Sequence, residues 1–276
     1  KVILISRFIN KPVKIYLFSF LLAFLTIFNS FELKGQAANS RKYKVVLDAG
    51  HGGKDHGTRG KKLKEKDLVL NVTLRVGKYL ESMADNIEVL YIRKNDEYSH
   101  PKERANFAND NEADLYVSIH ANAMPKGYEG VYGTETFVMG DKNEGRNFEV
   151  AKRENAVILL EENYEEIYQG FDPNSLEVPI MFSIQQELYQ ETSIFLAETI
   201  ENQFAKRAGR KSRGVKQSSL WVLWNTAMPS VLIEIGYLSN PKEERELSSE
   251  NVQDYIASAI FRSIRDYFEY LDSIKD

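Results

Sequence analysis

Apolar stretches typical of buried strands alternate with amphipathic helical stretches, and this alternation constrains the fold more than any other feature of the sequence. "YKVVLD" (43–48), "IEVLYI" (87–92), "DLYVSIHANA" (114–123) and "GVYGTETFVM" (130–139) predict strands. Residues 66–85 and 101–112, which lie between them, predict helices. The alternation favours an α/β domain with a mixed, substantially parallel central sheet and helices on both of its faces.

The second half of the chain contains a charged segment that such a layered domain does not need. Residues 143–170 predict a charged helix, residues 171–182 an irregular link, and residues 186–209 a long amphipathic helix. A strand over 230–240 and a closing helix over 252–271 follow. We therefore expect a single domain over residues 38–276, with residues 141–190 as a helical insert.

Residues 1–37 have the pattern of an export signal. Basic residues precede the apolar run "IYLFSFLLAFLTIF" (15–28), and the small residues Gly35 and Ala37 follow at the spacing of a cleavage site. The run is shorter than the roughly twenty residues that a bilayer span needs. The alternative is a retained N-terminal membrane anchor. We expect a cleaved signal peptide, no stable membrane span afterwards, and a secreted protein of the periplasm or cell envelope.

The composition excludes several kinds of site. The chain has no cysteine, so it has no disulfide, no cysteine nucleophile and no zinc–thiolate centre. Any metal must therefore be held by His, Asp or Glu. Residues 38–276 carry 31 basic and 39 acidic side chains, a net charge of −8. This charge gives no electrostatic footprint for nucleic acid, and we expect no nucleic-acid partner.

Two of the four histidines stand at the ends of predicted strands. His51 follows the first strand in "DAGHGG", and His120 ends the third in "SIHANA". Ligands bind at the carboxyl ends of parallel strands, so both imidazoles can face one crevice. The glycines around His51 allow a sharp turn and a close approach of the backbone to a ligand. His56 and His100 are expected in loops, with His56 near the cleft.

Two glutamates complete a possible hydrolytic site. Glu65 begins the first predicted helix, and two imidazoles with one carboxylate and a water form a common catalytic zinc site. The residues alone leave a structural role open, because the helix dipole also favours a carboxylate at a helix start. Glu234 lies inside the apolar "VLIEIG", where an unpaired carboxylate is costly, and it is the candidate general base.

Four separated motifs resemble those of the zinc-dependent N-acetylmuramoyl-L-alanine amidases. They are "VVLDAGHGGKDHGTRG", "LKEKDLVLNV", "DLYVSIHANA" and "MPSVLIEIGYLSNP", in the same order and spacing over most of residues 43–270. The resemblance implies that His51, Glu65 and His120 bind Zn²⁺ and that Glu234 is catalytic. It also implies peptidoglycan as the substrate, cleaved at the amide between N-acetylmuramic acid and L-alanine. Asn122 is expected to help position that substrate.

The charged insert resembles the regulatory segment of the cell-division branch of this family. In that branch an autoinhibitory helix covers the active site until an activator displaces it. "VAKRENAVI" (150–158) resembles this helix, and the resemblance places Glu154 in the fourth zinc position. It implies a helix over 146–168 across the cleft, a cell-division activator protein as partner, and a role in daughter-cell separation. The alternative is a solvated surface helix with a charged face.

Two other functions remain open from the sequence. A zinc carboxypeptidase or endopeptidase acting on the stem peptide would use the same metal ligands, and only its products would distinguish it. A wall-binding module without activity is the non-enzymatic alternative, but it would not require Glu234 together with His51, Glu65 and His120.

Overall fold

The computed structural model is built around a central sheet of six strands. In chain order they are β1 (Tyr43–Ala49), β2 (Ile87–Tyr91), β3 (Leu115–Asn122), β4 (Thr134–Met139), β5 (Ser212–Ser218) and β6 (Ser230–Tyr237). Across the sheet they lie in the order β2-β1-β3-β6-β4-β5. Neighbouring strands are parallel except β4 and β6, which are antiparallel. The mixed, substantially parallel sheet that the sequence predicts is therefore confirmed.

Helices cover both faces of this sheet, as predicted. They are α1 (Glu65–Met83), α2 (Pro101–Asp110), α3 (Gly145–Asn155), α4 (Tyr164–Ile167), α5 (Met181–Lys206), α6 (Trp221–Trp224), α7 (Pro241–Leu247) and α8 (Glu250–Ser273), with a 3₁₀-helix over Ala156–Leu160. One face packs α1, α5 and α8 against strand residues such as Leu47 and Ile233. The opposite face packs α2, α3 and α6 against strand residues such as Tyr116 and Leu232.

The structure describes residues 42–140, 145–168, 171–172 and 181–274, with the backbone alone over 181–187. All of these residues belong to one compact unit, Lys42–Asp276. The predicted signal peptide over 1–37 lies outside the described residues. Within the described ranges, no helix has both the length and the apolar character that crossing a membrane requires.

The apolar patterns of β1 and α1 explain why these segments take their structures. Val45, Val46 and Leu47 of β1 are all fully buried, because helices cover the sheet on both sides. Along α1, Val69, Val72 and the other apolar residues recur every three or four positions and face the sheet and α8.

The structure corrects the sequence predictions in three places. The single helix predicted over 146–168 is wrong, because α3 ends at Asn155 and a 3₁₀-helix and the short α4 follow. The Asn155 side chain explains this end: its amide donates to Ser219 O (2.9 Å), and its oxygen accepts from Trp221 N (2.9 Å). The irregular link predicted up to residue 182 already ends where α5 begins, at Met181.

The third correction is a set of elements that the sequence analysis did not predict: β5, α6 and α7. The sequence of β5, "SRGVKQS", shows no alternation of apolar and polar residues. This strand lies at the edge of the sheet, where polar side chains hinder pairing with a strand of another molecule. Its pairing with β4, rather than its own composition, makes it a strand.

Candidate active site

His51 lies in a strained turn immediately after β1. Its φ is 59°, a left-handed conformation that residues with a Cβ rarely adopt. Two buried arginines hold this turn through its carbonyl groups. Arg104 donates to the carbonyls of Ala49 (3.0 Å) and His51 (2.6 Å), and Arg93 donates to those of Ala49 (2.9 Å) and Gly50 (2.8 Å). Such strain persists only where surrounding contacts fix the backbone, as they do here.

Four side chains converge at the carboxyl ends of β1 and β3: His51, Glu65, His120 and Glu154. One donor atom from each lies within 4.8 Å of the other three. Glu65 Oε1 is 3.0 Å from His51 Nε2 and 3.1 Å from His120 Nδ1. Glu154 Oε2 is 3.5 Å and 2.9 Å from the same two nitrogens. Four donors held about 2.1 Å from one ion at tetrahedral angles are about 3.4 Å apart, so this spacing fits a tetrahedral metal site.

The electrostatics of these four residues, hereafter the metal cluster, also fit a bound cation. His51 Nε2 and Glu154 Oε2 are buried and, although other atoms of the cluster lie 2.9–3.5 Å away, neither makes a hydrogen bond of acceptable geometry within the described residues. Buried polar atoms without partners are uncommon and call for an explanation. Burial lowers the pKa of His120, but the carboxylates of Glu154 and Glu65 outweigh it and raise that pKa to about 9. The cluster therefore attracts positive charge, and its two nitrogen and two oxygen donors suit a divalent ion.

Hydrogen bonds from outside the cluster orient its members. Asp55 Oδ2 lies 2.7 Å from His51 Nδ1 and leaves Nε2 directed at the cluster. The Glu65 carboxylate accepts from Thr58 N (2.7 Å) and Ala121 N (2.8 Å). Such partners fix the orientation of metal-binding side chains and raise their affinity.

The candidate base, Glu234, lies beside the metal cluster on the next strand. It pairs in register with His120 across β3 and β6, so both side chains leave the same face of the sheet. Its carboxylate is fully buried, and Oε2 has no hydrogen-bond partner within the described part of the chain. Burial and then the neighbouring carboxylates of Glu154 and Glu65 hold the pKa of Glu234 well above its usual range, despite Arg153 nearby. A carboxyl group with a raised pKa in a cleft is a candidate for proton transfer.

Helix α3 brings two charged residues to this site. Glu154 joins the metal cluster, and Arg153 donates to Glu154 Oε1 (2.8 Å) and to Glu234 Oε1 (3.3 Å). Partial burial lowers the pKa of Arg153, but the carboxylates of Glu154 and Glu234 outweigh that effect and raise the pKa. The 3₁₀-helix and α4 continue over the same face of the sheet, where Ile158 and Tyr168 pack with Trp221 in one apolar cluster.

The other residues singled out in the sequence lie outside the metal cluster. Asn122 is fully buried, and its amide donates to Glu135 Oε2 (3.3 Å). Its contact with substrate stays a prediction. His100 is the residue that caps the start of α2, and its Nδ1 lies 2.5 Å from Glu161 Oε1. His56 belongs to the loop before α1.

The sequence analysis missed Arg153 and Glu135. Glu135 of β4 pairs in register with Glu234 and is fully buried. The available signal was an acidic residue inside the alternating "TETFVM", where a buried carboxylate needs a partner. No local signal distinguishes Arg153 from the other charged residues of α3.

A family model described as N-acetylmuramoyl-L-alanine amidase matches residues 45–266, which include the metal cluster, Glu234 and Glu135. The chain belongs to this amidase family. It is an enzyme that hydrolyses peptidoglycan, and the non-enzymatic alternative is thereby set aside.

Individual relatives agree with the family match. The germination-specific N-acetylmuramoyl-L-alanine amidase of Bacillus subtilis (strain 168) is 31% identical over 274 residues, which cover 91% of this chain and 93% of the relative. An N-acetylmuramoyl-L-alanine amidase structure from Clostridium difficile 630 is 28% identical with a TM-score of 0.62, over 83% of this chain and 98% of that chain. The CwlD amidase of Clostridioides difficile, solved in complex with the GerS lipoprotein, is 26% identical with a TM-score of 0.61, over 83% and 100% of the two chains.

Proposed function

We propose that this amidase binds Zn²⁺ through His51, Glu65 and His120 and cleaves the amide between N-acetylmuramic acid and L-alanine. The observation that carries the proposal is the convergence of one donor atom from each of these residues beside the buried carboxylate of Glu234. Membership of the amidase family supports the choice of bond. The donor set of nitrogen and oxygen atoms supports zinc as the metal.

The mechanism assigns a separate task to each residue. A zinc ion held here would polarise the scissile carbonyl and lower the pKa of a water molecule. Glu234 accepts a proton from the attacking water and returns it to the L-alanine nitrogen as the carbon–nitrogen bond breaks. The products are the free lactyl carboxylate of the sugar and a stem peptide with a free amino terminus. Asp55 keeps the His51 ring in place throughout. Asn122, whose amide donates to Glu135 Oε2 (3.3 Å), helps to position the substrate.

We further propose that the insert keeps the enzyme inactive at rest. Glu154 occupies the position that the attacking water needs, and Arg153 holds a positive charge against the carboxylate that must accept a proton. An activator protein would displace α3 by binding the open state more tightly than the closed one. The CwlD–GerS complex shows that a similar amidase associates with another protein, which supports a protein partner here. We assign the enzyme to daughter-cell separation and wall turnover.

The domain organisation follows the same proposal. Residues 1–37 act as a signal peptide that directs the enzyme to the periplasm or cell envelope, where peptidoglycan lies. Residues 38–276 form the catalytic domain, and residues 141–190 form its regulatory insert.

Muropeptide analysis tests the reaction directly. Purified peptidoglycan is digested with the zinc-loaded protein that begins at residue 38, and the soluble products are identified by mass spectrometry. We expect stem peptides with a free L-alanine amino terminus, together with glycan strands that lack peptide. Products shortened within the stem peptide, with the sugar–peptide amide intact, would overturn the proposal and favour the carboxypeptidase or endopeptidase alternative.

A further inference from the structure

A row of charged side chains crosses the sheet from the metal cluster toward its edge. His120 on β3, Glu234 on β6 and Glu135 on β4 are successive register partners, so their side chains share one face. Arg213 on the edge strand β5 continues the row, because its Nε lies 3.1 Å from Glu135 Oε1. We call these four residues the cross-strand row.

Helix α3 lies along the cross-strand row and contacts it at three points. Glu154 contacts His120, Arg153 contacts Glu234, and Arg146, at the start of α3, contacts Glu135. The eight residue steps from Arg146 to Glu154 span about 12 Å of helix. The two strand spacings from β3 to β4 span about 10 Å. The helix therefore runs across the strands and covers a path that begins at the metal cluster.

Glu135 at the far end of this path binds two cations. Its fully buried carboxylate contacts Arg213 from the sheet and Arg146 from the insert. Tyr237 Oη donates to Glu135 Oε2 (2.7 Å) and accepts from Arg146 Nη1 (2.8 Å). If α3 leaves, Arg213 and Tyr237 remain with Glu135, and the place of one guanidinium becomes vacant. A buried carboxylate that has room for a second cation is suited to receive one from a ligand.

We propose that Glu135, with Tyr237, is a specificity subsite for a cationic group of the substrate, and that Arg146 occupies it in the closed enzyme. This inference rests on the proposed function. A substrate that replaces α3 must follow the path from the metal cluster to Glu135. The cationic group that a stem peptide can bring to Glu135 is the side-chain amine of its diamino acid. When that amine is acylated in a cross-link, it loses its charge. The subsite therefore makes the enzyme selective for stem peptides that are not cross-linked.

Binding of a reaction product tests the subsite without requiring turnover. The probes are the tripeptide L-Ala-γ-D-Glu-L-Lys and the same peptide acetylated on the lysine Nε. They are titrated by calorimetry into the zinc-loaded chain carrying Arg146→Ala. We expect the free amine to bind at least about tenfold more tightly, as a charge-assisted hydrogen bond predicts. Adding Glu135→Gln to this variant should make the two affinities equal, and Tyr237→Phe should reduce the difference without changing any charge.

Matched variants separate this role from general loosening of the insert. Lys152→Ala removes an exposed cation from the same helix and should bind the amine no better than the parent chain does. Equal affinities for the two peptides in the Arg146→Ala chain, or no binding of either, would overturn the proposal. Tighter binding of the free amine that persists after Glu135→Gln would overturn the proposal as well.

The outcome is distinguishable from failure of the proposed reaction. If the chain binds the free amine more tightly but releases no amidase products from peptidoglycan, the proposed reaction is refuted and the subsite proposal stands. Amidase products from a chain that does not discriminate between the peptides would refute the subsite alone.

Discussion

At the scale of single residues, the metal cluster depends on backbone conformations that few residues tolerate. Gly57 has φ 61°, and a Cβ placed there would lie 2.5 Å from His51 Cδ2 and 2.6 Å from Glu65 Oε2. A Cβ at Gly50 would lie 2.4 Å from the ring of His120. These glycines leave the space in which the rings and the carboxylate of the cluster pack.

Gly57→Ala should weaken zinc binding by about 10- to 100-fold, because the new methyl group displaces two ligands at once. Zinc affinity is measured by competition with a chelator. Gly127→Ala is the matched control: φ is also positive there (98°), but apart from its chain neighbours no heavy atom of the described residues lies within 4 Å of the added Cβ. Both variants carry backbone strain, so a loss of zinc affinity shared by both would contradict the steric explanation.

Glu234→Gln should retain zinc and lower kcat by about 10²- to 10⁴-fold, because the amide has the shape of the carboxylate but cannot accept the proton. Metal content and cleavage of purified peptidoglycan are measured on the same sample. Glu201→Gln serves as a control, since Glu201 is also a buried glutamate but binds Thr134, Thr136 and Ser212 instead. Near-normal turnover by the zinc-loaded Glu234→Gln protein would exclude Glu234 as the base.

At the scale of elements, the insert combines polar and apolar attachment. Its charged residues reach the metal cluster, Glu234 and Glu135, while Val150, Ile158 and Tyr168 pack into the apolar cluster around Trp221. Both tryptophans of the chain, Trp221 and Trp224, lie in this cluster or against it. Tryptophan fluorescence therefore reports whether the insert is in place.

Glu154→Ala should raise basal cleavage of peptidoglycan and shift tryptophan emission to longer wavelength, because loss of the carboxylate weakens the attachment of α3. Deletion of residues 143–182 should raise cleavage further. Glu149→Ala, an exposed glutamate on the same helix, should change neither measurement. If the Glu154→Ala and deletion variants remain folded and zinc-loaded but cleave no faster than the parent, the autoinhibition proposal fails. The insert would then be better described as a wall of the substrate groove or a docking surface.

At the scale of the whole molecule, a buried ion pair joins β1, β3 and α2 beneath the site. Arg104 of α2 pairs with Asp48, and the same carboxylate accepts from Tyr116 Oη (2.6 Å) and Ser118 Oγ (2.9 Å). Burial raises the pKa of Asp48, but Arg104 and the hydrogen bonds from Tyr116 and Ser118 outweigh it and lower the pKa below its usual value. The pair therefore stabilises the fold above the unfolded pKa of Asp48, and this contribution is lost as the pH falls through the lowered folded value.

Asp48→Asn should lower the free energy of unfolding at pH 7 by about 3–5 kcal/mol, because it leaves the Arg104 charge buried without a counter-charge. As the pH is lowered, the free energy of unfolding of this variant should also decrease less than that of the parent protein. Urea unfolding at several pH values measures both effects. Asp110→Asn, at the exposed end of α2, should change stability by less than about 0.5 kcal/mol. An unchanged pH profile in Asp48→Asn would contradict this account.

The sequence by itself determined the layered α/β fold and which residues meet at the strand ends. Apolar periodicity identifies β1, α1 and β3, and parallel strands bring their carboxyl ends to one edge. His51 and His120 could therefore be placed in one cleft before the structure was known. The roles of Glu234, His51, Glu65, His120, Glu154 and Asn122 stay predictions until the variants are measured.

Only the tertiary structure decided how the second half of the chain is arranged over that edge. The register of β6 with β4 places Glu135 beside Glu234. The polar segment β5 is a strand because it pairs with β4. Contacts of Asn155 with Ser219 and with Trp221, the first residue of α6, end α3 and help set where Arg153 and Glu154 lie. These features depend on residues tens of positions apart. Local periodicity reports which face of an element is buried, but it does not report which distant segment covers that face.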